Sequence, residues 1–254
     1  DGIYNLDLTT LEAAKNIPGI KIVEIPTTQT GVIRMKVTKK PFTDKRVRQA
    51  LCLTFNRQQM VDTLYRGRAD IGNDHVIAPF LPFFDETQEQ RPFDPDAARA
   101  LLAEAGAEGL SVTLDILNQS ERLTAAQVIQ ANLADVGIAC EIKQNDSGTF
   151  WSLGSKDGDY FMDLQLVLSR FSMQPDPSWA TVWFTPEQVG VWNWERFDNA
   201  EYKALHDQGL VESDPAKRDP EPAVRNGGLG TDDGERLGTG IHPAITRSTM
   251  EDKS

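Results

Sequence analysis

PFTDKRVRQALCLTFNRQQMVDTLY occupies residues 41–65 and carries two consecutive helix patterns. Thr43 or Asp44 can accept hydrogen bonds from the free amides of a first helical turn. The apolar residues that follow crowd one side of that helix and predict a buried face. Asn56 interrupts the pattern, which then resumes at helical spacing and ends at Gly67. The segment therefore predicts two helices that pack on a core.

The same segment resembles extracytoplasmic solute-binding proteins of the dipeptide and oligopeptide class, family 5. In that family a phenylalanine, an aspartate, an Arg-x-Arg-Gln-Ala-Leu stretch and an Asn-Arg pair occur in this order. Here they are Phe42, Asp44, residues 46–51, Asn56 and Arg57. Further segments match in the family's order at residues 18–37, 93–106, 123–143 and 198–219. The resemblance covers residues 1–219.

Outside that segment the patterns predict a mixed α/β architecture. Two apolar runs separated by a Pro-Thr-Thr-Gln-Thr-Gly turn predict two strands within residues 20–37. Asp94 and Pro95 begin a predicted helix that Gly106 ends, after a loop-like stretch at residues 70–90. Residues 110–142 read as a β-α-β unit, followed by a short helix near residue 150. A last strand is predicted at residues 161–168, and it leads into a loop.

The resemblance implies one lobe of a two-lobe fold of the periplasmic-binding-protein type II kind, with a mixed sheet and flanking helices. Residues 1–37 would be hinge strands and a remnant of the first lobe, and residues 38–219 the second ligand-binding lobe. Residues 220–254 are rich in Gly and Pro and lack a sustained apolar period, so we expect a disordered tail outside the family pattern. We therefore expect a C-terminal fragment.

Composition limits the possible functions. The formal net charge of −12 argues against a nucleic-acid surface, and 39% hydrophobic residues suffice for a core. No apolar stretch approaches the ~20 residues that span a bilayer, and no signal peptide begins at Asp1. Cys52 and Cys140 lie at apolar positions and predict two buried thiols, with a disulfide left open. The resemblance implies a periplasmic or extracytoplasmic monomer that works with the permease subunits of an ABC importer.

The resemblance also places ligand contacts in the loop SRFSMQPDPSW, residues 169–179, and in the tryptophans near it. The expected ligand-binding residues are Arg170, Phe171, Ser172, Met173, Asp176, Trp179, Trp192 and Trp194. Arg170 offers a planar fork for a carboxylate or phosphate, or else forms a surface ion pair. Asp176 either contacts the ligand or caps the loop. The tryptophans either stack on a ligand or pack in the core.

Met173 bears on the class of ligand. Peptide-binding members commonly carry an aspartate at this position, where it holds the α-ammonium of the ligand. A thioether cannot replace that charged partner inside a closed cleft, at a cost of several kcal/mol. Met173 therefore argues against a plain di- or oligopeptide as the ligand.

Other chemistry has little support in the sequence. His75, His206 and His242 lack the spacing of metal ligands, and no phosphate-binding, nucleotide-binding or nucleophile motif is present, so no metal, cofactor or catalytic residue is expected. One alternative is the ligand-sensing domain of a regulatory protein. A weaker one is an acid/base hydrolase that uses aspartates in a turn: Asp157, Asp159 and Asp163.

Overall fold

The computed structural model describes residues 8–23, 28–72, 74, 77, 81, 84, 90–155, 164–172, 176, 178–213 and 239–241. The helices are α1 Leu8–Ala14, α2 Lys45–Thr54, α3 Arg57–Tyr65, α4 Pro95–Glu104, α5 Ser120–Asp135, α6 Ser147–Ser152, α7 Ser178–Thr181 and α8 Ala200–Val211. The strands are β1 Gln29–Met35, β2 Ser111–Leu117, β3 Ala139–Asn145, β4 Leu166–Ser172 and β5 Thr239–Ile241. Two short 3-10 turns, Val182–Phe184 and Pro186–Gln188, follow α7.

The five strands form one mixed sheet in the order β3-β2-β4-β1-β5. β2 runs parallel to both β3 and β4, whereas β1 runs antiparallel to β4 and β5. α5 connects β2 to β3 and completes the β-α-β unit that the sequence predicts. The expected mixed α/β fold class is confirmed.

The two helices of residues 41–65 form as the sequence predicts. The N-cap residue of α2 is Asp44 rather than Thr43, and its carboxylate accepts from the backbone N of Arg46 at 2.9 Å. The N-cap residue of α3 is Asn56, and its side chain accepts from the backbone N of Gln59 at 2.9 Å. The chain leaves α3 through two left-handed residues, Arg66 and Gly67.

The two faces of the sheet are covered differently because strand side chains alternate between them. On one face, α2, α4 and α5 pack on a core that includes Leu114, Ile116, Leu166 and Leu168. On the other face, Val167 packs with Phe150 of α6 and with Trp194. A further cluster on that second face joins Val32 and Phe171 to Ala180 and Phe184 in the segment after β4.

Two strand predictions are wrong in their bounds. Residues 20–23 form no strand, and Ile20 and Val23 are exposed, so only β1 forms among the described residues of this region. The later strand starts at Leu166 and continues to Ser172, because β4 pairs with β1 along its whole length. Arg170, Phe171 and Ser172 are therefore strand residues and not loop residues, while residues 161–163 lie outside the described part.

The expected domain limits stay a prediction. β1, from the segment expected to form the hinge, is an interior strand of the same sheet as β2, β3 and β4. Within residues 220–254 the structure describes Thr239–Ile241, which pairs with β1 as the edge strand β5. The rest of that segment lies outside the described residues.

Both cysteines are free. Cys52 is buried on α2, and burial raises the pKa of its thiol to about 11. Cys140 is half-buried on β3, and burial again raises the pKa of the thiol to about 11. Neither thiol therefore ionises near neutral pH.

Candidate functional site

A crevice is expected where the neighbouring parallel strands β2 and β4 end. After β2 the chain enters α5, whose Ile129 and Leu133 pack on the first face of the sheet. After β4 it enters α7, whose Ala180 packs with Phe171 on the opposite face. In open α/β sheets, ligands bind outside the carboxyl ends of strands at the point where successive connections diverge in this way. The candidate site is therefore the edge where β2 and β4 end.

Four side chains form what we call the arginine corner at this edge: Tyr65, Glu121, Arg122 and Arg170. Arg170 Nη1 donates to Gln29 Oε1 at 2.6 Å, and Nη2 lies 3.9 Å from Glu121 Oε2. Glu121 and Arg122 stand in the first turn of α5. Arg122 is only 9% exposed, and its Nε has no hydrogen-bond partner among the described residues.

The groups of the corner influence one another electrostatically. Burial lowers the pKa of Arg122 to about 10, and the nearby charge of Arg170 lowers it further against the opposing effect of Glu121. Burial raises the pKa of Tyr65 to about 12, and Glu121 adds to that rise while the two arginines oppose it. At neutral pH Arg122 therefore keeps its charge and the phenol of Tyr65 stays protonated. The formal charges of the two arginines and Glu121 sum to +1 beside the positive end of α5.

The start of α5 adds donors to this corner. Gln119 is the N-cap residue, but its side chain makes no capping hydrogen bond. The first amides of a helix have no partner within the helix, so they can donate to an acceptor that lies beyond its N-terminal end. The corner thus combines guanidinium, phenol and backbone donors at the carboxyl end of β2.

Two of the residues predicted for the site lie apart from this corner. Phe171 points to the opposite face, where its ring centroid lies 4.8 Å from that of Trp183. Arg34 covers Phe171 at 5.0 Å from the ring centroid. Asp176 Oδ1 accepts from the backbone N of Ser178 at 2.9 Å, at the start of α7, and a contact of Asp176 with a ligand stays a prediction.

The tryptophans divide into an exposed and a buried set. Trp179 and Trp192 are 48% and 43% exposed, and both contact Trp183, with ring centroids at 6.3 Å and 5.8 Å. Trp194 is only 2% exposed, and it packs edge-on against Phe150 at 5.8 Å. The exposed pair follows β4 and can offer ring surface to a ligand, whereas Trp194 belongs to the core.

A buried ion pair fixes the loop that carries Trp192. Arg34 on β1 donates from Nε to Glu195 Oε1 at 2.5 Å and from Nη2 to Glu195 Oε2 at 2.6 Å. Nη2 also donates to the Trp192 carbonyl at 2.5 Å. The guanidinium lies 4.7 Å from the Trp194 ring centroid. This bidentate pair ties the loop to the interior of the sheet.

The remaining predicted residues can be placed only in part. The side chain of Ser172 and all of Met173 lie outside the described residues, as do His75, His242, Asp157, Asp159 and Asp163. His206 is buried, and its Nδ1 lies 2.9 Å from Thr181 Oγ1. No cluster of metal-ligating side chains occurs in the described part of the chain. No helix there has the length and apolarity to cross a bilayer.

Three members of the corner were not predicted from the sequence: Tyr65, Glu121 and Arg122. A signal for Arg122 was present, since the first turn after a strand of a β-α-β unit lies at the carboxyl edge of the sheet. Tyr65 gave no such signal, because nothing local to the end of α3 indicates that it lies beside α5. The contribution of Tyr65 to the arginine corner depends on how α3 packs against α5.

Comparisons with known proteins agree with this architecture. A family model described as bacterial extracellular solute-binding proteins, family 5 Middle, matches residues 1–189. The chain is 36% identical over 151 residues to di/tripeptide-binding protein 3 of Pseudomonas aeruginosa strain UCBPP-PA14, covering 57% of this chain and 27% of that relative. It is 30% identical over 216 residues to di/tripeptide-binding protein 1 of the same strain, covering 82% of this chain and 39% of that relative.

A solved structure shares the fold. The dipeptide-binding protein of Pseudoalteromonas sp. SM9913, determined in complex with Met-Leu, matches with a TM-score of 0.82 at 19% identity. The match covers 94% of this chain and 47% of that one. This likeness confirms the expected lobe of a periplasmic-binding-protein fold, and the chain spans less than half the length of these three proteins.

Proposed function

Because this chain belongs to the bacterial extracellular solute-binding proteins of family 5, we propose that it supplies part of the site in which such a protein captures a small organic solute. The resemblance seen in residues 41–65 is confirmed by the family match. The captured solute is delivered outside the cytoplasmic membrane to the permease subunits of an ABC importer. The ligand-sensing and hydrolase alternatives have no comparable support.

One observation carries the proposal most directly. The arginine corner stands beside the carboxyl end of β2, and the exposed tryptophans Trp179 and Trp192 belong to the segment after β4. Charged donors and ring surfaces thus flank the edge at which an open α/β sheet binds its ligand. Arg170, Trp179 and Trp192 are the predicted site residues that we retain as candidates for direct contact.

We further propose that the solute is peptide-like. The names of both Pseudomonas relatives state that they bind di- or tripeptides. Met173 differs from the aspartate that the resemblance leads us to expect for gripping a free α-ammonium. We therefore expect that acylation of the amino end of a short peptide costs this protein little affinity.

Deletion of the gene in the bacterium that carries it tests the transport role. Growth on short peptides as the sole nitrogen source should fail and should return when the complete reading frame is restored. Growth on ammonium is the matched control and should be unaffected. Unchanged peptide uptake in the deletion strain, measured with labelled peptides, would contradict the proposal.

Thermal unfolding of the complete gene product with a panel of solutes tests the ligand class. N-acetylated dipeptides should raise the midpoint more than unmodified dipeptides, whose ammonium lacks the aspartate partner, whereas sugars should have no effect. A clear preference for the free amine would show that another acid replaces the missing aspartate and would contradict the inference from Met173.

A further inference from the structure

We propose that the edge strand β3 pairs with β3 of a second copy of this chain, antiparallel and centred on Ile142. β3 is the outermost strand on its side of the sheet, and no strand among the described residues lies beyond it. An uncovered edge presents backbone donors and acceptors that another strand can use. This inference concerns assembly and does not depend on what the protein binds.

The backbone of β3 points alternately toward β2 and away from the sheet. Ala139 N donates to the carbonyl of Leu110, just before β2, at 2.9 Å, so Ala139 faces β2. The direction alternates along a strand, and the outward residues are therefore Cys140, Ile142 and Gln144. Pairing about Ile142 sets residue 142 opposite itself and residue 140 opposite residue 144. These are the hydrogen-bonded positions of an antiparallel ladder, so all three outward residues take part.

The charges of β3 select this register. Glu141 and Lys143 flank Ile142, both are exposed, and neither has an ion-pair partner among the described residues. A two-fold axis through Ile142 places Glu141 of each copy directly opposite Lys143 of the other. Moving the centre of pairing by one residue instead sets Glu141 opposite Glu141, or Lys143 opposite Lys143. Opposite charges in such positions stabilise strand pairing and like charges oppose it.

The helix beside β3 is compatible with a second copy. Gln130 of α5 reaches the edge, where its Nε2 donates to the Cys140 carbonyl at 2.6 Å. Gln127 and Ala134 lie one turn before and after Gln130 on the same side of the helix, and both are exposed and uncharged. Because α5 packs on both β2 and β3, a sheet continued through the axis brings the two α5 helices about 10 Å apart, which is a normal packing distance.

A protective role for the charges of β3 makes a different prediction. Charged residues on an edge strand often prevent pairing with other chains, and the chain would then be monomeric at every concentration. Pairing through one strand and one side of a helix buries less than the roughly 1,000 Å² of a stable interface, so we expect a dissociation constant of about 0.1–1 mM. At micromolar concentration the chain would then be the monomer that the resemblance implies.

Sedimentation equilibrium of the 254-residue chain, from about 10 μM to about 1 mM, separates these cases. Glu141→Lys sets like charges opposite each other in both cross-strand pairs and should weaken association about tenfold or more, as should Lys143→Glu. The double variant Glu141→Lys/Lys143→Glu restores the opposite charges and should associate as the unmodified chain does. The matched control is Glu201→Lys, which makes the same charge change at an exposed position on α8 and should leave association unchanged.

Nuclear magnetic resonance of the ¹⁵N-labelled chain identifies the surface that pairs. The amides of Cys140, Ile142 and Gln144 should shift with chain concentration and exchange more slowly with solvent, whereas those of Ala139 and Lys143 should change less. Gln144→Pro removes an outward donor and spares the bonds to β2, so it should weaken association about tenfold. The dispersion of each spectrum shows whether the variant is folded.

Three results would overturn the inference. The first is a chain that sediments as a monomer up to about 1 mM, which would assign the charges of β3 a protective role. The second is association that Glu141→Lys and Gln144→Pro leave unchanged, which would place the interface on another surface. The third is a double variant that associates no better than Glu141→Lys, because the register about Ile142 requires that the exchange of charges restores pairing.

Discussion

Replacing Arg122 with methionine should stabilise the chain in the absence of ligand. Burial and the charge of Arg170 hold the pKa of Arg122 near 10. At neutral pH the guanidinium is therefore charged, and the free-energy cost of burying that charge is fully present. This pKa lies more than two pH units below the usual arginine value, which corresponds to a free-energy cost of about 3 kcal/mol for the charged form in the folded state. The methionine side chain retains most of the apolar packing that the stem of Arg122 provides. We expect the free energy of unfolding to rise by about 1–3 kcal/mol.

Urea unfolding followed by far-ultraviolet circular dichroism at neutral pH measures this change. The control is Arg57→Met, which removes a buried arginine that is ion-paired with Asp74. That control should lower the free energy of unfolding by about 1–3 kcal/mol, because Asp74 loses one of two arginine partners and keeps Arg91 at 2.7 Å. Equal destabilisation by both substitutions would refute the reasoning that Arg122, unlike Arg57, has no carboxylate partner among the residues that the structure describes.

Three further predictions concern stability. Glu195→Gln should lower the free energy of unfolding by about 3 kcal/mol, because it leaves Arg34 charged and buried without its carboxylate. Gly154→Ala should be destabilising, since a Cβ there would lie 1.8 Å from an atom of the Trp194 ring. Burial lowers the pKa of His206 below its usual value near 6.5, so the folded state disfavours protonation. The contribution of neutral His206 to the free energy of unfolding should therefore be fully present above about pH 6.5 and should be lost as the pH drops below that value. In the His206→Gln variant this loss should be absent.

The first two of these predictions have matched controls in the same urea assay. Asp207→Asn breaks an exposed ion pair with Lys203 and should cost less than about 0.5 kcal/mol. Gly209→Ala places a Cβ in open space within α8 and should stabilise by about 0.5–1 kcal/mol. A Gly154→Ala variant as stable as the unmodified chain would contradict the packing argument. A Glu195→Gln variant that loses no more stability than Asp207→Asn would contradict the charge argument for Arg34. A His206→Gln variant whose stability depends on pH as that of the unmodified chain does would contradict the argument from the burial of His206.

The parts of the fold that depend on local signals could be predicted from the sequence. Asp44, Asn56 and Asp94 each accept from a first-turn amide of the helix that they precede. The β-α-β unit follows from an alternating run, a helical run and a second strand pattern within residues 110–145. These signals require only neighbours along the chain.

The features that could not be predicted from the sequence depend on contacts between residues that are distant along the chain. β4 extends to Ser172 because β1, from the start of the chain, pairs with it throughout. Arg170 bonds to Gln29, which is 141 positions away, and Arg34 pairs with Glu195 across 161 positions. Periodicity along the chain does not identify such partners, so the sequence could not show that the Phe171 ring packs on Trp183, on the face opposite the arginine corner. The arginine corner depends in the same way on the packing of α3 against α5.

The central claim is that ligand binds at the edge where β2 and β4 end. Backbone amide shifts of the ¹⁵N-labelled chain, titrated with N-acetyl-alanyl-alanine, test it most directly. We predict that the largest shifts cluster at residues 120–123, 170–172 and 178–181, with α4 and β3 unchanged. Largest shifts on α4 or β3, or no saturable shift at the highest soluble concentration, would contradict it.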